Sequence, residues 1–303
     1  MSVSETEMTR VQPAQAARPV VWQPRQPVFW LFVALLAAAV PMLVVQITIG
    51  SKNVQALLSA VVLLAVQVTL LWLIVRAMPK LKKRQPGSLR LAAFLWGALV
   101  AILIAGSAND AAFTVYGQLG LNSLAASLSA PVNEDLVRIL GVLLVLTLAM
   151  RDRITVMDGV VYGFIVGAGF EVTENLFYAL RGDDFLGTVS VGLSRLFVGF
   201  GLHALWTTVA GAGLAYCLSR WQRGLPGRWW VIAPTMLLPV LLHAAWDAPS
   251  FSIFTILKLL LLLVLYAVTV TAFLLAVRWG RRSDAALLSL PSTGVESAAQ
   301  RLD

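Results

Sequence analysis

Seven ionisable side chains lie inside otherwise apolar segments of this chain, and their types are those used for metal binding and hydrolysis. A charged group in hydrocarbon costs about 2.5–3.5 kcal/mol or more unless it is paired or binds a ligand, so it indicates function. Imidazoles and carboxylates together are ligands for divalent metals and the acids and bases of hydrolytic sites. The two imidazoles are the only histidines in the sequence. The residues are Glu134, Asp135, Arg138, Glu174, His203, His243 and Asp247.

The composition predicts that these residues are carried by membrane-spanning helices. The chain is 59% hydrophobic and 13% charged, with a mean hydropathy of +0.82. A soluble domain carries about 25% charged residues. We therefore expect an all-α fold, a polytopic transmembrane helix bundle in a lipid bilayer. The net charge of +8 comes from loops that face one side of the membrane, so no nucleic-acid partner is expected.

Apolar segments of about 20 residues predict about eight spans. Residues 109–131 and 183–194 are less apolar and are interpreted as surface or re-entrant pieces. Gly163, Gly167 and Gly169 in the fifth span favour close helix packing. The predicted spans are residues 28–48, 55–77, 89–108, 132–150, 157–180, 195–218, 229–248 and 254–279.

The charges in the loops predict the orientation of the bundle. Most of the 23 lysines and arginines fall in the two ends and in alternate loops, which the positive-inside rule assigns to the cytoplasm. Both termini are then cytoplasmic. Residues 1–27 and 283–303 are expected to be disordered cytoplasmic ends that flank a bundle over 28–282. The expected location is a bacterial plasma (inner) membrane, crossed several times.

This orientation places the ionisable residues of four spans at one level, towards the outer face. Glu134 and Arg138 share a helix face, as do His243 and Asp247, because residues four apart are neighbours on a helix. Glu171 is interpreted as a solvated or interfacial acid. From the residues alone, the same groups also fit a structural salt bridge, interior hydrogen-bonded histidines or the proton relay of a transporter.

The order and spacing of these residues resemble the PrsW family of intramembrane proteases, relatives of the CAAX-processing and bacteriocin-processing membrane proteases. The family has a Glu-Glu-x-x-Lys motif, then Phe-x-x-x-Glu followed by Asn, then a single His, then His-x-x-x-Asp. The resemblance covers about residues 130–250. The matching segments here are Glu134-Asp135-Leu136-Val137-Arg138, Phe170 to Glu174-Asn175, His203, and His243 to Asp247.

Two residues depart from the pattern of the family. Asp135 stands where the family has Glu, and its carboxylate is one methylene shorter. Arg138 stands where the family has Lys, and a guanidinium does not lose its proton in proteins, which excludes a proton-shuttling role at this position.

The resemblance implies an intramembrane endopeptidase that cleaves a membrane-anchored protein near the outer face, for example an anti-sigma factor. Its catalytic residues would be Glu134, Asp135, Arg138 and Glu174, with Glu134 as the general base. A divalent metal, expected to be zinc, would be held by His203 and His243 with one or two of Glu174, Asp247 and Asp135. The two imidazoles should then lie side by side. A metal-free mechanism, in which Glu134 activates water and a histidine supports the oxyanion, fits the residues equally well.

Two other classes of function stay open at this point. A catalytically silent membrane scaffold of the same superfamily would tolerate the departures at Asp135 and Arg138. A proton-coupled transporter would need polar groups in both halves of the membrane. The predicted cytoplasmic halves of the spans are nearly all Leu, Val and Ala, which argues against a transporter.

Overall fold

A computed structural model describes residues 21–51, 54–77, 85–149, 154–182, 184–248 and 255–288. All of the regular structure in these ranges is helical. A π-helical turn, Trp96–Ala101, joins the third and fourth α-helices, and a 3-10 turn, Asn122–Leu124, precedes the fifth α-helix. The α-helices are α1 (Pro27–Gly50), α2 (Val54–Ala77), α3 (Gly87–Leu95), α4 (Ile102–Gln118), α5 (Ala125–Ala149), α6 (Val156–Leu180), α7 (Phe185–Phe197), α8 (Leu202–Trp221), α9 (Trp229–Trp246) and α10 (Thr255–Leu288).

The helices confirm a membrane bundle with about eight spans. Seven helical stretches in the described residues are long and apolar enough to cross a bilayer, counting α3 to α4 as one stretch and α7 to α8 as another. The eighth is α5, which has 25 residues but carries three of the ionisable residues near its middle. The large apolar side chains exposed along α1, α2, α9 and α10 are those expected on a surface that faces lipid.

Helix α6 lies at the centre of the bundle and packs closely against α8. Gly163 and Gly167 face the α8 backbone, where an added Cβ would lie 2.5 Å from the Thr207 carbonyl oxygen and 2.7 Å from the Ala204 Cα, respectively. On another face of α6, an added Cβ at Gly169 would lie 2.9 Å from the Ala98 nitrogen. Small residues let membrane helices approach in this way. The predicted packing role of the glycines is confirmed.

Both described ends of the chain lie at the same end of the bundle, which we call the basal end. The Gln23 side chain donates to the Leu148 carbonyl (2.7 Å) at the end of α5, and the Val156 amide donates to Ser283 Oγ (3.4 Å). An even number of passes follows from this arrangement, but the side of the membrane stays a prediction. The predicted disordered ends lie largely outside the described residues, although α10 continues as far as Leu288.

Residues 109–131, interpreted as a surface or re-entrant piece, are mostly helical, and most residues from 110 to 124 are exposed. Helix α4 continues to Gln118, a tight turn follows at Gly120 (φ 72°), and α5 begins at Ala125 with Pro131 inside it. Gly117 and Pro131 lie inside these helices, and membrane helices tolerate both residue types because neighbouring groups satisfy the freed backbone. The extra helical turns bring Asn109 to the level of Glu134.

The continuous sixth span predicted over 195–218 is wrong. Helix α7 already begins at Phe185, within the predicted surface piece 183–194, and ends at Phe197, and α8 begins at Leu202. The break contains Gly201, whose φ of 85° is left-handed and favours glycine. His203 is therefore the second residue of a helix rather than a residue well inside one.

The orientation can be tested by labelling two positions that lie at opposite ends of the bundle. In a Cys217→Ser background, Asn122→Cys in the turn before α5 should react with a membrane-impermeant maleimide on intact cells. Arg223→Cys, after α8, should react only once the membrane is permeabilised, because the positive-inside rule puts that end in the cytoplasm. The reverse labelling pattern would contradict the predicted orientation, and with it an outward-facing site.

Candidate metal centre

Glu134, His203 and His243 point at a common position from three different helices. Among the described residues, one ligand atom from each of these three side chains lies within 4.8 Å of the others. The Glu134 Oε2 atom is 3.7 Å from the Nε2 atom of each histidine, and the ring centroids of the histidines are 5.1 Å apart. The prediction that the two imidazoles lie side by side is confirmed. All three side chains are buried.

The orientation of His243 is fixed from both sides of its ring. Its Nδ1 atom is 3.4 Å from Asp135 Oδ2, and its Nε2 atom is 3.4 Å from Asp247 Oδ2 as well as near Glu134. The indole of Trp206 stacks on the imidazole with centroids 4.9 Å apart. A carboxylate at Nδ1 favours a proton there and leaves the Nε2 lone pair directed at the common position. Asp135 is thus placed to orient His243.

His203 has a similar arrangement with a different carboxylate. Its Nδ1 atom is 3.5 Å from Glu174 Oε2, while its Nε2 atom faces Glu134. The Phe170 ring packs edge-on against the imidazole at 5.2 Å. Glu174, predicted as a metal ligand, therefore lies on the far side of the His203 ring from the common position. Its role stays a prediction, and the geometry places it to orient His203 when Nε2 is the ligand atom.

Two arginines neutralise part of the negative charge of this cluster. Arg138 is fully buried and donates to Asp135 Oδ1 at 2.5 Å and to Glu134 Oε2 at 3.4 Å; its guanidinium lies over the Phe170 ring. The predicted Glu134–Arg138 pair is confirmed as a contact. Because Glu134 and Asp135 are buried, they need a donor that stays charged and bonds to both of them, and the Arg138 guanidinium meets both requirements.

Arg195 is a site residue that the sequence analysis missed. It lies on α7 and pairs with Glu174 Oε2, and its Nε atom also donates to Asn175 Oδ1 at 2.6 Å. The sequence carries a signal, because Arg195 is one of the few basic residues outside the predicted cytoplasmic loops. Its interpretation as the first residue of a span gave no reason to expect an ion pair with Glu174.

Asn109 is a second residue that the sequence analysis missed. Its Nδ2 atom donates to Glu134 Oε1 at 3.0 Å, and its own Oδ1 accepts from Asn133 Nδ2 at 3.0 Å. Asn109 thus holds Glu134 through Oε1, while Oε2 accepts from Arg138 and faces the two histidines. The assignment of residues 109–131 to the surface removed Asn109 from consideration.

Glu171 is buried, so its interpretation as a solvated or interfacial acid is wrong. Only 1% of the residue is exposed, and its Oε1 atom accepts from the Gly201 amide at 2.5 Å. Gly201 is the capping residue immediately before α8. A carboxylate at this point satisfies a free amide and interacts favourably with the positive end of the helix dipole. Glu171 thereby fixes the helix end that carries His203.

The formal charges of the cluster leave an excess of negative charge. Five carboxylates and two guanidinium groups lie together, and a divalent cation would offset much of the difference. Unpaired charges are costly in this environment, so the donor set fits a bound metal ion. The carboxylates belong to Glu134, Asp135, Glu171, Glu174 and Asp247, and the guanidinium groups to Arg138 and Arg195.

Comparison with known families agrees with this geometry. A family model described as "PrsW family intramembrane metalloprotease" matches residues 85–276, which include α3 to α9, most of α10 and every residue of the cluster. The chain belongs to the PrsW family of intramembrane metalloproteases. No curated protein and no solved structure gives a significant match to it.

The buried cap at Glu171 can be tested through stability. Glu171→Ala should lower the free energy of unfolding by about 0.5–2 kcal/mol, since loss of a cap leaves the Gly201 amide without an acceptor. Thermal unfolding of the full chain in detergent would measure the change. Glu171→Gln keeps an acceptor oxygen and should unfold closer to wild type.

Asp184→Ala is the matched control for this experiment. It removes an exposed cap at the start of α7, where Asp184 Oδ1 accepts from the Gly187 amide at 2.7 Å. The exposed amide can bond to water, so the loss should be smaller. If Glu171→Ala is no more destabilising than Asp184→Ala, Glu171 does not fix the start of α8.

Proposed function

We propose that this protein is an intramembrane endopeptidase that hydrolyses peptide bonds in membrane-anchored protein substrates. The observation that carries the proposal is the convergence of Glu134 Oε2 with the Nε2 atoms of His203 and His243 inside a buried, carboxylate-rich cluster. Membership of the PrsW family supports the same reaction class.

Glu134, His203 and His243 would hold a divalent metal, with zinc as the proposed ion. Two imidazole nitrogens and one carboxylate oxygen are a usual catalytic zinc set, in which a fourth position stays open for water. A bound metal of this kind supplies a nucleophilic water near neutral pH and polarises a carbonyl group. This assignment makes Glu134 a ligand rather than the general base.

Asp247 then becomes the candidate to take the proton from the attacking water. Its Oδ2 atom lies 3.4 Å from His243 Nε2, beside the common position. Its side chain is 22% exposed, against 3% for His243, so it stands where the cluster opens. A general base must lie within hydrogen-bond reach of the water that it deprotonates. Asp247 is the carboxylate of the cluster that combines access with this position.

The remaining side chains hold these groups in place. Asp135 accepts at His243 Nδ1, Glu174 faces His203 Nδ1, and each carboxylate is bonded to an arginine. Such partners set the tautomer and basicity of a ligating imidazole. Arg195 and Glu174 are partly exposed, which supports an entry for a peptide between α7 and the end of α9.

A metal-free mechanism remains the alternative within this reaction class. Glu134 would itself deprotonate water, and a protonated histidine would support the oxyanion. The convergence of three ligand atoms favours the metal mechanism, because Glu134 Oε2 lies at the same distance of 3.7 Å from the Nε2 atoms of His203 and His243.

The other two classes of function fit less well. Apart from Asp158, which caps the start of α6, the buried Asp, Glu, Arg and His side chains in the described part of the chain belong to the cluster. No line of buried carboxylates or imidazoles among the described residues therefore leads from the cluster to the basal end, as a proton-coupled transporter would need. A silent scaffold would not need two imidazoles held by separate carboxylates.

The substrate class and the location complete the proposal. A cluster near the end of the bundle opposite the basal end would face the outer side of a bacterial plasma membrane if the positive-inside rule holds. It would then cut a membrane-anchored protein close to that surface. An anti-sigma factor is the example that the family resemblance suggests.

Glu134→Gln tests the role of the central carboxylate. The amide keeps the shape of the side chain but loses the negative charge, so cleavage of a membrane-anchored reporter should fall by about 10²-fold or more. Metal content of the purified protein should fall as well, because a neutral amide is a poor ligand. Loss of activity with full metal content would assign Glu134 as a base instead, and near-normal cleavage would contradict both roles.

Asp247→Asn is the companion variant. It lies beside the same position but outside the three-ligand set, so it should keep its metal and lose most of its activity. Loss of metal from Asp247→Asn together with retention by Glu134→Gln would contradict the proposed division of roles.

A further inference from the structure

A cavity lies in the basal half of the bundle and is lined by residues outside the metal centre. It has a volume of about 520 Å³ and lies between α2, α3 and α6. This volume is within the range of roughly 300–1,000 Å³ that is common for small-molecule sites. Its floor is apolar and is formed by Leu71, Phe94, Phe164, Ile165 and Ala168. Along α6, Ile165 is nine residues from Glu174, about 13 Å at 1.5 Å per residue.

One end of this cavity is basic. Arg76, in the last turn of α2, and Arg90, near the start of α3, both line it. No carboxylate among the described residues lies within salt-bridge distance of either guanidinium, unlike Arg138 and Arg195 in the metal centre. The Arg76 guanidinium instead lies over the Trp72 ring, 4.9 Å from its centroid. Two guanidinium groups at one mouth form a site for an anion.

The cavity lies where a lipid can reach it. Trp72 and Leu91, which line it, are 52% and 58% exposed on the outside of the bundle. Arg76 follows the apolar stretch Val54–Ile74 and Arg90 lies in the first turn of Gly87–Gln118, so both are expected near the lipid head groups, with the apolar floor extending inwards. Tryptophan is typical of this interfacial level.

We propose that this cavity binds an anionic phospholipid of the basal leaflet. The phosphate is held between Arg76 and Arg90, and an acyl chain lies along the apolar floor against Leu71 and Phe164. Basic pockets between membrane helices bind anionic head groups in this way. The proposal is independent of the protease assignment.

Native mass spectrometry of the full chain in detergent can test the lipid site. Phosphatidylglycerol supplies the anionic head group, phosphatidylcholine supplies the same chains without net charge, and inorganic phosphate supplies the anion without chains. The wild-type protein should retain phosphatidylglycerol preferentially and should not retain phosphate. Arg76→Gln combined with Arg90→Gln should weaken retention of phosphatidylglycerol about 10- to 30-fold, since each basic residue near the surface contributes.

The matched control is Arg223→Gln combined with Arg281→Gln. It removes the same charge from the same end of the bundle but outside the cavity, and it should leave retention unchanged. Equal losses in both double variants would overturn the site and leave a general surface charge effect. Equal binding of the two lipids by the wild-type protein, or retention of phosphate alone, would also overturn the proposal.

Quenching of tryptophan fluorescence tests where the acyl chain lies. Phosphatidylglycerol with brominated chains should quench the tryptophan emission of the wild-type protein, and part of this quenching should disappear in Trp72→Phe. The double variant Arg76→Gln with Arg90→Gln should lose the same part. Quenching that is identical in the wild-type protein and Trp72→Phe would contradict binding in this cavity.

Discussion

The high cost of charge in hydrocarbon is the constraint on which the structure of this protein depends. Five carboxylates, two imidazoles and two guanidinium groups lie together among apolar helices. Each is stable there only because the others are within bonding distance. Arg138 illustrates this, since it is fully buried and yet pairs with both Glu134 and Asp135. The cluster therefore requires α5, α6, α8 and α9 to meet in one relative arrangement.

The helix backbones meet this requirement through close approaches and one break. Gly163 and Gly167 let α6 lie directly against the α8 backbone, which fixes the height of His203 relative to Glu174. The chain break before α8 places His203 in a first helical turn, where Glu171 accepts from the Gly201 amide. An irregular backbone at membrane depth is tolerated only where its polar groups are satisfied. The same break aims the positive end of α8 at the carboxylates.

Hydropathy and loop charge were sufficient to predict the class of fold, because span length and lipid exposure are properties of local sequence. The convergence of Glu134, His203 and His243 was also predictable, since all three are costly residues at a matching depth. The helix break at Gly201 was not, because a glycine in an apolar run is equally typical of helix packing and of a turn. The roles of Arg195 and Asn109 could not be predicted, because they arise only from contacts with residues of other helices.

The proposal that Glu134 is a ligand and Asp247 the base also depends on three-dimensional geometry. Helical spacing shows that Glu134 shares a face with Arg138, which fits a base as well as a ligand. Only the equal distances of 3.7 Å from its Oε2 to both Nε2 atoms favour a ligand. The side of His203 on which Glu174 lies is likewise invisible in the sequence, because it depends on the rotation of α8 against α6.

X-ray absorption spectroscopy of the purified full chain, loaded with one equivalent of Zn²⁺, tests the proposed metal centre most directly. It should show two imidazole nitrogens at about 2.0–2.1 Å together with oxygen ligands. His203→Ala and His243→Ala should each remove an imidazole from this shell and lower both metal content and proteolysis. A protein that cleaves its substrate at the full rate after the metal is removed, or whose zinc has no imidazole ligand, would contradict the proposed centre.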